Sequence, residues 1–468
     1  MNQFEVARPL DELITVRDRG QPVENISCKG EDPVLASSFR LGRTAADVQL
    51  AIGIAVNDVW EVRTGRRQDL TVQVPQAAAA LKSYTYLDLD RPEIKQQFVA
   101  QVGRQKISTP HPTKDGRYFL PHMGLPHLAD RILTILGCDF ELEAVQRAVA
   151  EWDALELEDA VAAASGCGAM VRSEAEWLAH PHGQLLASKA VIELEKIGDA
   201  PSQAFSADPA RPLSGVRVLD LTRILAGPTC ARTLAEHGAD VLMVTAASLP
   251  QTSWFVLDTS HGKRTTFLDL KAPDERATLL ALLADADVFS QGYRPGAMDK
   301  LGLSPEEMAA HRPGIIYTSM NCYGFDGPFA DRAGWEQLAQ TVTGIANEQG
   351  GDEPPRILPA AACDYLTGYL AAYGTLLAMH RRATEGGSWH VKASLCQSGM
   401  FLQRQGRVDY EQGIDIPTSV VDDIRLSTPT PYGQMTHLGP VLGMSETQPH
   451  WVHPSSPLGS HAPAWEVS

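Results

Sequence analysis

The sequence predicts an α/β protein with an open, doubly wound parallel sheet, and three observations carry that prediction. Buried-type strands at 216–221, 241–244, 288–290 and 315–319 alternate with helices at 229–237, 274–283 and 305–311, the interval of βαβ units. The turns after those strands, at 222–228, 291–296 and 321–328, combine glycines with Arg223, Tyr293, Arg294 and Tyr323. Ligands sit at such strand ends; glycine lets them approach the backbone, and arginine and tyrosine offer phosphate and ring contacts. Within 361–395, apolar residues recur at helical spacing until Gly386-Gly387, after which Val391, Ala393 and Leu395 alternate like a strand. The sheet is therefore Rossmann-like in type, although neither GxGxxG nor a P-loop is present.

The elements follow in order. Residues 1 to about 40 are weakly patterned. From Ala45 a helix runs to near Gly65, then Leu70, Val72 and Val74 alternate as a strand, and an alanine-rich helix reaches Leu81. This segment reads as a second copy of 361–395. Gly53 falls under Gly374, Ala51 under Ala372, Gly65 under Gly386 and Gln76 under Gln397, all at one constant offset, with Arg43 facing Asp364. Chance identity in alanine-rich helices is the competing account. Lys114-Asp115-Gly116 marks a turn before a strand and a helix ending at Leu136. Residues 144–164 form one acidic amphipathic helix, and Ser173 with Glu176 reads as a capping box. The stretch 199–213, rich in Pro, Ser and Ala, is the linker. The expected division is 1–205, 206–405 and 406–468, the last an extended Pro/His-rich segment without sustained period.

Composition narrows the function classes. With 44% hydrophobic and 21% charged residues, the 468-residue chain is ordinary for a globular protein. No apolar run approaches the roughly 20 residues of a membrane helix, and the first residues lack a signal-peptide pattern, so a cytoplasmic protein is expected. A net charge of −17 disfavours nucleic acid and anionic membrane as partners but leaves a small anion open. The seven scattered cysteines form no CxxC pair and the histidines no metal spacing, so no metal is expected. Cys363 is read as a small buried residue rather than a nucleophile. Asp364 has two readings. It is a helix N-cap accepting from the Thr367 amide, or an anionic nucleophile held ionised by the helix dipole.

Six runs in order bear on that choice: LSGVRVLDLTRILAGP (213–228), HGADVLMV (237–244), GKRTTFLDL (262–270), ADVFSQGYRPGAMDKLG (286–302), RPGIIYTSMNCYGFDGP (312–328) and ACDYLTG (362–368). Through them the chain resembles the family III (CaiB/BaiF-type) CoA-transferases, a group that includes formyl-CoA and carnitine CoA-transferases and 2-methylacyl-CoA racemases. The resemblance implies a sheet domain with a smaller α+β domain, to which TKDGRY belongs. It also implies interlocked copies, either as a homodimer or paired internally, with the first copy partial and degenerate. The implied activity moves CoA from an acyl-CoA to a free carboxylic acid through a covalent intermediate on Asp364. No cofactor is permanently bound, and the CoA thioester is a substrate. By the same matches, Ile224, Leu225 and Ala226 line the adenine and pantetheine site. Tyr293 contacts the nucleotide, Lys300 a phosphate, and Tyr323 the thioester.

Two departures stand out. Ala246 and Ala247 occupy positions where the family often has arginine, which leaves Arg63, Arg66 or Arg67 of the first copy as alternative phosphate partners; and the glycine-rich shielding loop of some transferases is not recognisable. The racemase pattern has Gly-His-Asp where this chain has Gly334-Trp335-Glu336, so the second base is missing and transfer is favoured over racemisation. A non-catalytic acyl-CoA-binding protein is the rival from another class.

Overall fold

In the computed structural model, residues 9–94, 96, 106–206 and 209–466 are described. The main sheet is wound outward from its centre. Strand Arg217–Asp220 pairs in parallel with Asp240–Thr245, which pairs with Lys263–Phe267; the chain then crosses back to place Val288–Gln291, Ile316–Asn321 and Ser388–Ser394 on the other side. Glu193–Gly198 closes that edge in antiparallel pairing, giving seven strands among the described residues. The sheet thus reaches back across the expected boundary at 205/206. Val218, Val241, Val288 and Ile316 lie in matching register and are fully or almost fully buried, as expected for strands covered on both faces. The winding reverses between Arg217–Asp220 and Val288–Gln291, so the loops leaving those strands flank one crevice.

Two strands of the main sheet carry no clear sequence signal. Lys263–Phe267 opens with Lys and Arg, which argue against a buried strand, yet Lys263 is fully buried with its Nζ 2.7 Å from Asp220 Oδ2 and 2.7 Å from the Pro228 carbonyl. Glu193–Gly198 is half polar and shows no buried-strand signal. Helix Ala226–Glu236 begins three residues before the expected start, because Pro228 sits in its first turn, where no N–H is needed.

Helix Ala362–Glu385 is buried along most of its length, between Ala226–Glu236 on one side and Leu41–Thr64 on the other. Gly368 makes the first contact possible: a Cβ there would lie 2.4 Å from the Ala226 carbonyl oxygen and 2.7 Å from Thr229 Cβ. Gly368→Ala is expected to push the two helices apart and to cost about 1–3 kcal/mol of stability, read as a lower denaturant midpoint at unchanged slope.

Leu41–Thr64 has the same 24-residue length as Ala362–Glu385 and the same bounds at the sequence offset. Each is followed at that offset by a glycine of positive φ, Gly65 (+72°) and Gly386 (+75°). A strand follows each, Leu70–Gln73 and Ser388–Ser394, and then a helix, Val74–Ala80 and Leu395–Arg404. Each strand pairs in parallel with an earlier one, Ile26–Lys29 in the first case and Ile316–Asn321 in the second.

A smaller unit carries the antiparallel strands His111–Pro112, Tyr118–Pro121 and Gly168–Met170 with helices around a core of Phe119, Ile132, Val145, Leu157 and Val161. The single helix expected over 144–164 is two, Leu142–Val149 and Ala154–Ala163. The chain turns at Trp152, whose carbonyl accepts from the Lys114 amide, and Asp115 Oδ2 accepts from the Ala154 amide at 3.2 Å. Ser173 and Glu176 form the expected capping box. The last 60 residues are more ordered than their composition predicts. Arg425–Thr430 and Gly433–Leu438 form a hairpin that extends Asp88–Leu89, and Gly443–Met444 adds to Leu70–Gln73. Ser, Thr and Gln on the exposed side hid that alternation.

Candidate active site

The crevice at the winding reversal opens into a cleft. Its walls are the loops after three parallel strands, the first turn of Ala362–Glu385, and Leu125, His127 and Leu128 at the start of the small-unit helix Pro126–Leu136. Ile224, Leu225, Ala226, Tyr293, Tyr323 and Asp364 all line it. Lys300 does not join them: it is exposed on a surface turn beyond the cleft lining. Ile224 holds a left-handed φ of +73°, a costly conformation for a β-branched residue that neighbouring structure must impose. Leu225 and Ala226 line the cleft at the start of a helix that has no side-chain cap bond. That end of the helix is an open hydrogen-bond donor and carries the positive end of the dipole.

Asp364 is the third residue of its helix rather than the N-cap, which is Ala361. The capping carboxylate comes from Glu336, at the start of helix Glu336–Thr343. Its Oε2 accepts from the Asp364 amide at 2.5 Å and its Oε1 from the Cys363 amide at 3.1 Å, with Gln340 donating to the same Oε1. Burial pushes Glu336 up to about 7, against the hydrogen bonds it accepts. Burial also raises the Asp364 carboxyl well above the usual carboxylate range, and the Glu336 charge adds to the rise. Desolvation at 7% exposure thus opposes the dipole, which favours the ionised form of an acid in a helix's first turn. The expectation for Cys363 fits its surroundings: the residue is fully buried, and its thiol is pushed well up by burial first.

At the other helix the corresponding carboxylate is Asp32. It accepts from the Gly42 amide at 3.0 Å and the Arg43 amide at 2.8 Å, the positions that align with Cys363 and Asp364. Arg43 turns to Asp47, one helical turn on, at 3.1 Å.

The cationic groups at the cleft differ from those expected. Arg63 is spent on the carbonyls of Pro212 and Ser214, Arg66 on Glu446, and Arg67 on Glu24, Asp58 and Glu61. Arg223, Arg294 and His127 line the cleft instead. Arg223 donates to the Pro250 carbonyl while its buried Nε has no partner among the described residues. Burial lowers the His127 pKa, and Arg131, Arg294 and Arg223 lower it further, so positive charge is concentrated at this mouth. Arg223 and Arg294 stood in the strand-end loops and were visible in the sequence. His127 carried no signal there, since it arrives from a separate unit.

Asp364 also faces a second, smaller cavity shared with Tyr84, His122, Phe255, Trp335 and Gln337. None of these five was singled out by the sequence for a role. They come from four separate stretches of chain, and only folding brings them together.

Residues 213–435 match the family described as CoA-transferase family III. The chain is 33% identical over 331 residues to the acetyl-coenzyme A transferase nodX of Hypoxylon pulicicidum, covering 65% of this chain and 56% of that protein. It is 30% identical over 215 residues to the probable fatty acyl-CoA transferase Rv3272 of Mycobacterium tuberculosis, covering 42% and 54% respectively. A crystal structure of Rv3272 aligns over 42% of this chain and 58% of that one, with 29% identity and a TM-score of 0.39. The chain spans about half the length of the curated relatives it matches. Over residues 213–435, which hold six of the seven main-sheet strands and Asp364, the chain is similar to the CoA-transferase family III.

Proposed function

We propose that the protein transfers CoA from an acyl-CoA to a free carboxylic acid, with Asp364 as the covalent nucleophile. The observation that carries this reading is the position of Asp364 on the cleft wall, in the same lining as the amide-bearing turn of Ile224, Leu225 and Ala226. The Asp364 carboxylate attacks the thioester carbonyl, and the CoA thiolate leaves to give an aspartyl-acyl anhydride. The thiolate then attacks the aspartyl carbonyl, releasing the first acid and leaving aspartyl-CoA. The incoming carboxylate repeats the two steps in reverse order and departs as the new thioester. The start of Ala226–Glu236, which has no side-chain cap, suits the oxyanion formed at each attack. A carboxylate of raised pKa is scarcer as the anion and more nucleophilic when formed. In this reading Arg223, Arg294 and His127 meet the CoA phosphates, which relieves the absence of arginine at Ala246 and Ala247.

The reading extends to the architecture. The paired carboxylate caps Asp32 and Glu336 support descent of the first segment from a copy that kept its scaffold and exchanged the nucleophile for Arg43. The copies would then be paired within one chain, since Leu41–Thr64 packs on Ala362–Glu385 and the Leu81 carbonyl accepts from the Ala361 amide at 3.1 Å.

A second reading is favoured by one observation. Proton exchange at the carbon next to the thioester needs a second base, and Gly334-Trp335-Glu336 lacks the expected histidine; yet His122 stacks on Trp335 at 4.5 Å and lines the second cavity with Asp364. One experiment separates the readings. With acyl-CoA and hydroxylamine, the Asp364 peptide should gain the hydroxamate mass, with no deuterium entering the α-carbon from D₂O. Deuterium entry over an unmodified Asp364 peptide would replace transfer by proton exchange.

A further inference from the structure

Lys263 and Asp220 are both fully buried, and their side chains meet at 2.7 Å. The sheet does not need that pair to hold its strands together. Lys263–Phe267 is already bonded along its length to Asp240–Thr245, the strand that separates it from Arg217–Asp220. Apolar side chains of similar volume are often no less stable than a buried ion pair, because two charges must leave water to form it. What distinguishes the pair is its place at the root of the turn 222–228. Lys263 Nζ donates to the Pro228 carbonyl at 2.7 Å, in the first turn of Ala226–Glu236. Asp220 Oδ1 accepts from the Thr222 amide at 3.0 Å and from the Thr222 hydroxyl. Thr222 packs on Gly227 so closely that a Cβ there would lie 2.3 Å from Thr222 Cβ. The pair thus grips both ends of the turn, and Ile224 between them keeps its left-handed φ of +73°. A β-branched residue stays in that region only where its surroundings over-determine it. Thr222, Ile224, Leu225, Ala226 and Gly227 all line the cleft with Asp364.

We propose that Lys263 is a positioning residue for the transfer reaction: paired with Asp220, it holds the turn 222–228 in the conformation that presents the start of Ala226–Glu236 to the reacting carbonyl. The proposal rests on the reading of Asp364 as the nucleophile and adds the residues that set the oxyanion geometry. Neither Lys263 nor Asp220 lines the cleft, so both act through Pro228 and Thr222. Donors fixed in advance stabilise a developing charge without reorganising at the moment of attack. A turn free to relax at Ile224 would have to be reordered in every turnover, and that cost would be paid in the transition state. Arg294 and His127, which meet the CoA phosphates in that reading, lie outside the turn. Loss of the pair therefore falls on kcat rather than on KM.

The test uses the full chain with acetyl-, succinyl- and butyryl-CoA. It reads the single-turnover rate of Asp364 labelling in hydroxylamine, the steady-state kcat and KM, and the denaturant midpoint. Lys263→Met/Asp220→Leu removes both charges together, so its midpoint should stay near the parent's. Its labelling rate and kcat are expected to fall roughly 10- to 100-fold, with the acyl-CoA KM moving by less than about threefold. A second pair of variants decides if the double substitution does not fold. Thr222→Ser keeps the hydroxyl that bonds Asp220 and should label roughly ten times faster than Thr222→Val, which lacks it. Parental labelling in the folded double variant, equal rates for the two Thr222 variants, or a loss that follows KM or the midpoint would each overturn the proposal and leave transfer through Asp364 standing. No label on the parent from any of the three thioesters would overturn the proposed function, and this proposal with it.

Discussion

Asp364→Asn is expected to lower acyl-CoA:carboxylate exchange by roughly three orders of magnitude or more while leaving acyl-CoA binding within a few-fold of its starting value. The change is nearly isosteric, and it leaves intact the backbone bond from the Asp364 amide to Glu336 Oε2. What it removes is the anion that forms the covalent bond. It also removes a charge that burial and Glu336 both oppose, so the variant should be as stable as the parent or more so. Activity and stability are therefore expected to move apart. Steady-state kinetics alongside a denaturant titration checks this, and a parallel fall in both would assign Asp364 a structural role.

Glu336→Gln should move the acid limb of the pH–rate profile to lower pH. Asp364 must be ionised to attack, so activity falls as pH falls through its raised pKa. The Glu336 charge is the second cause of that rise; without it the Asp364 pKa drops, and ionisation persists to lower pH. An unshifted limb would show that Glu336 is already protonated in the working enzyme. The same substitution tests stability. Asp364 and Glu336 both have folded-state pKa values above their unfolded ones, so the folded state holds extra protons. Their favourable contribution is full below the unfolded carboxylate range and is lost as pH rises, for Glu336 through about 7. Denaturant midpoints of the parent should accordingly decline from pH 5 to pH 8, and those of the Gln variant should decline less. At any one pH the variant should also lose about 1–3 kcal/mol, because its single amide oxygen replaces a carboxylate that served two backbone amides.

The legible part of this fold is local in origin. The helix Pro305–His311 and the C-terminal ends of Leu41–Thr64 and Ala362–Glu385 lie where periodicity and glycine place them, since 3.6-residue spacing and a positive φ are properties of short stretches. The strand Lys263–Phe267 was missed for the opposite reason. Its charged start is stable only because Asp220, 43 residues earlier, supplies the counter-charge. The hairpin at Arg425–Thr430 and Gly433–Leu438 was hidden by polar residues on its exposed side. Among the site residues, Lys300 followed from position in a motif, and position in a motif does not say which way a turn faces the cleft.

By itself the sequence determined most of the succession of strands and helices after 213, the three strand-end loops that form the cleft and the placing of Asp364 at the start of a long apolar helix. These depend on spacing and turn chemistry within a dozen residues. Tertiary structure decided what surrounds that acid. Glu336 caps its helix from 28 residues away, His122 reaches its second cavity from the small unit, and Arg63, Arg66 and Arg67 are committed elsewhere. Desolvation then sets its pKa, and desolvation is a property of the packed interior that no stretch of sequence carries alone.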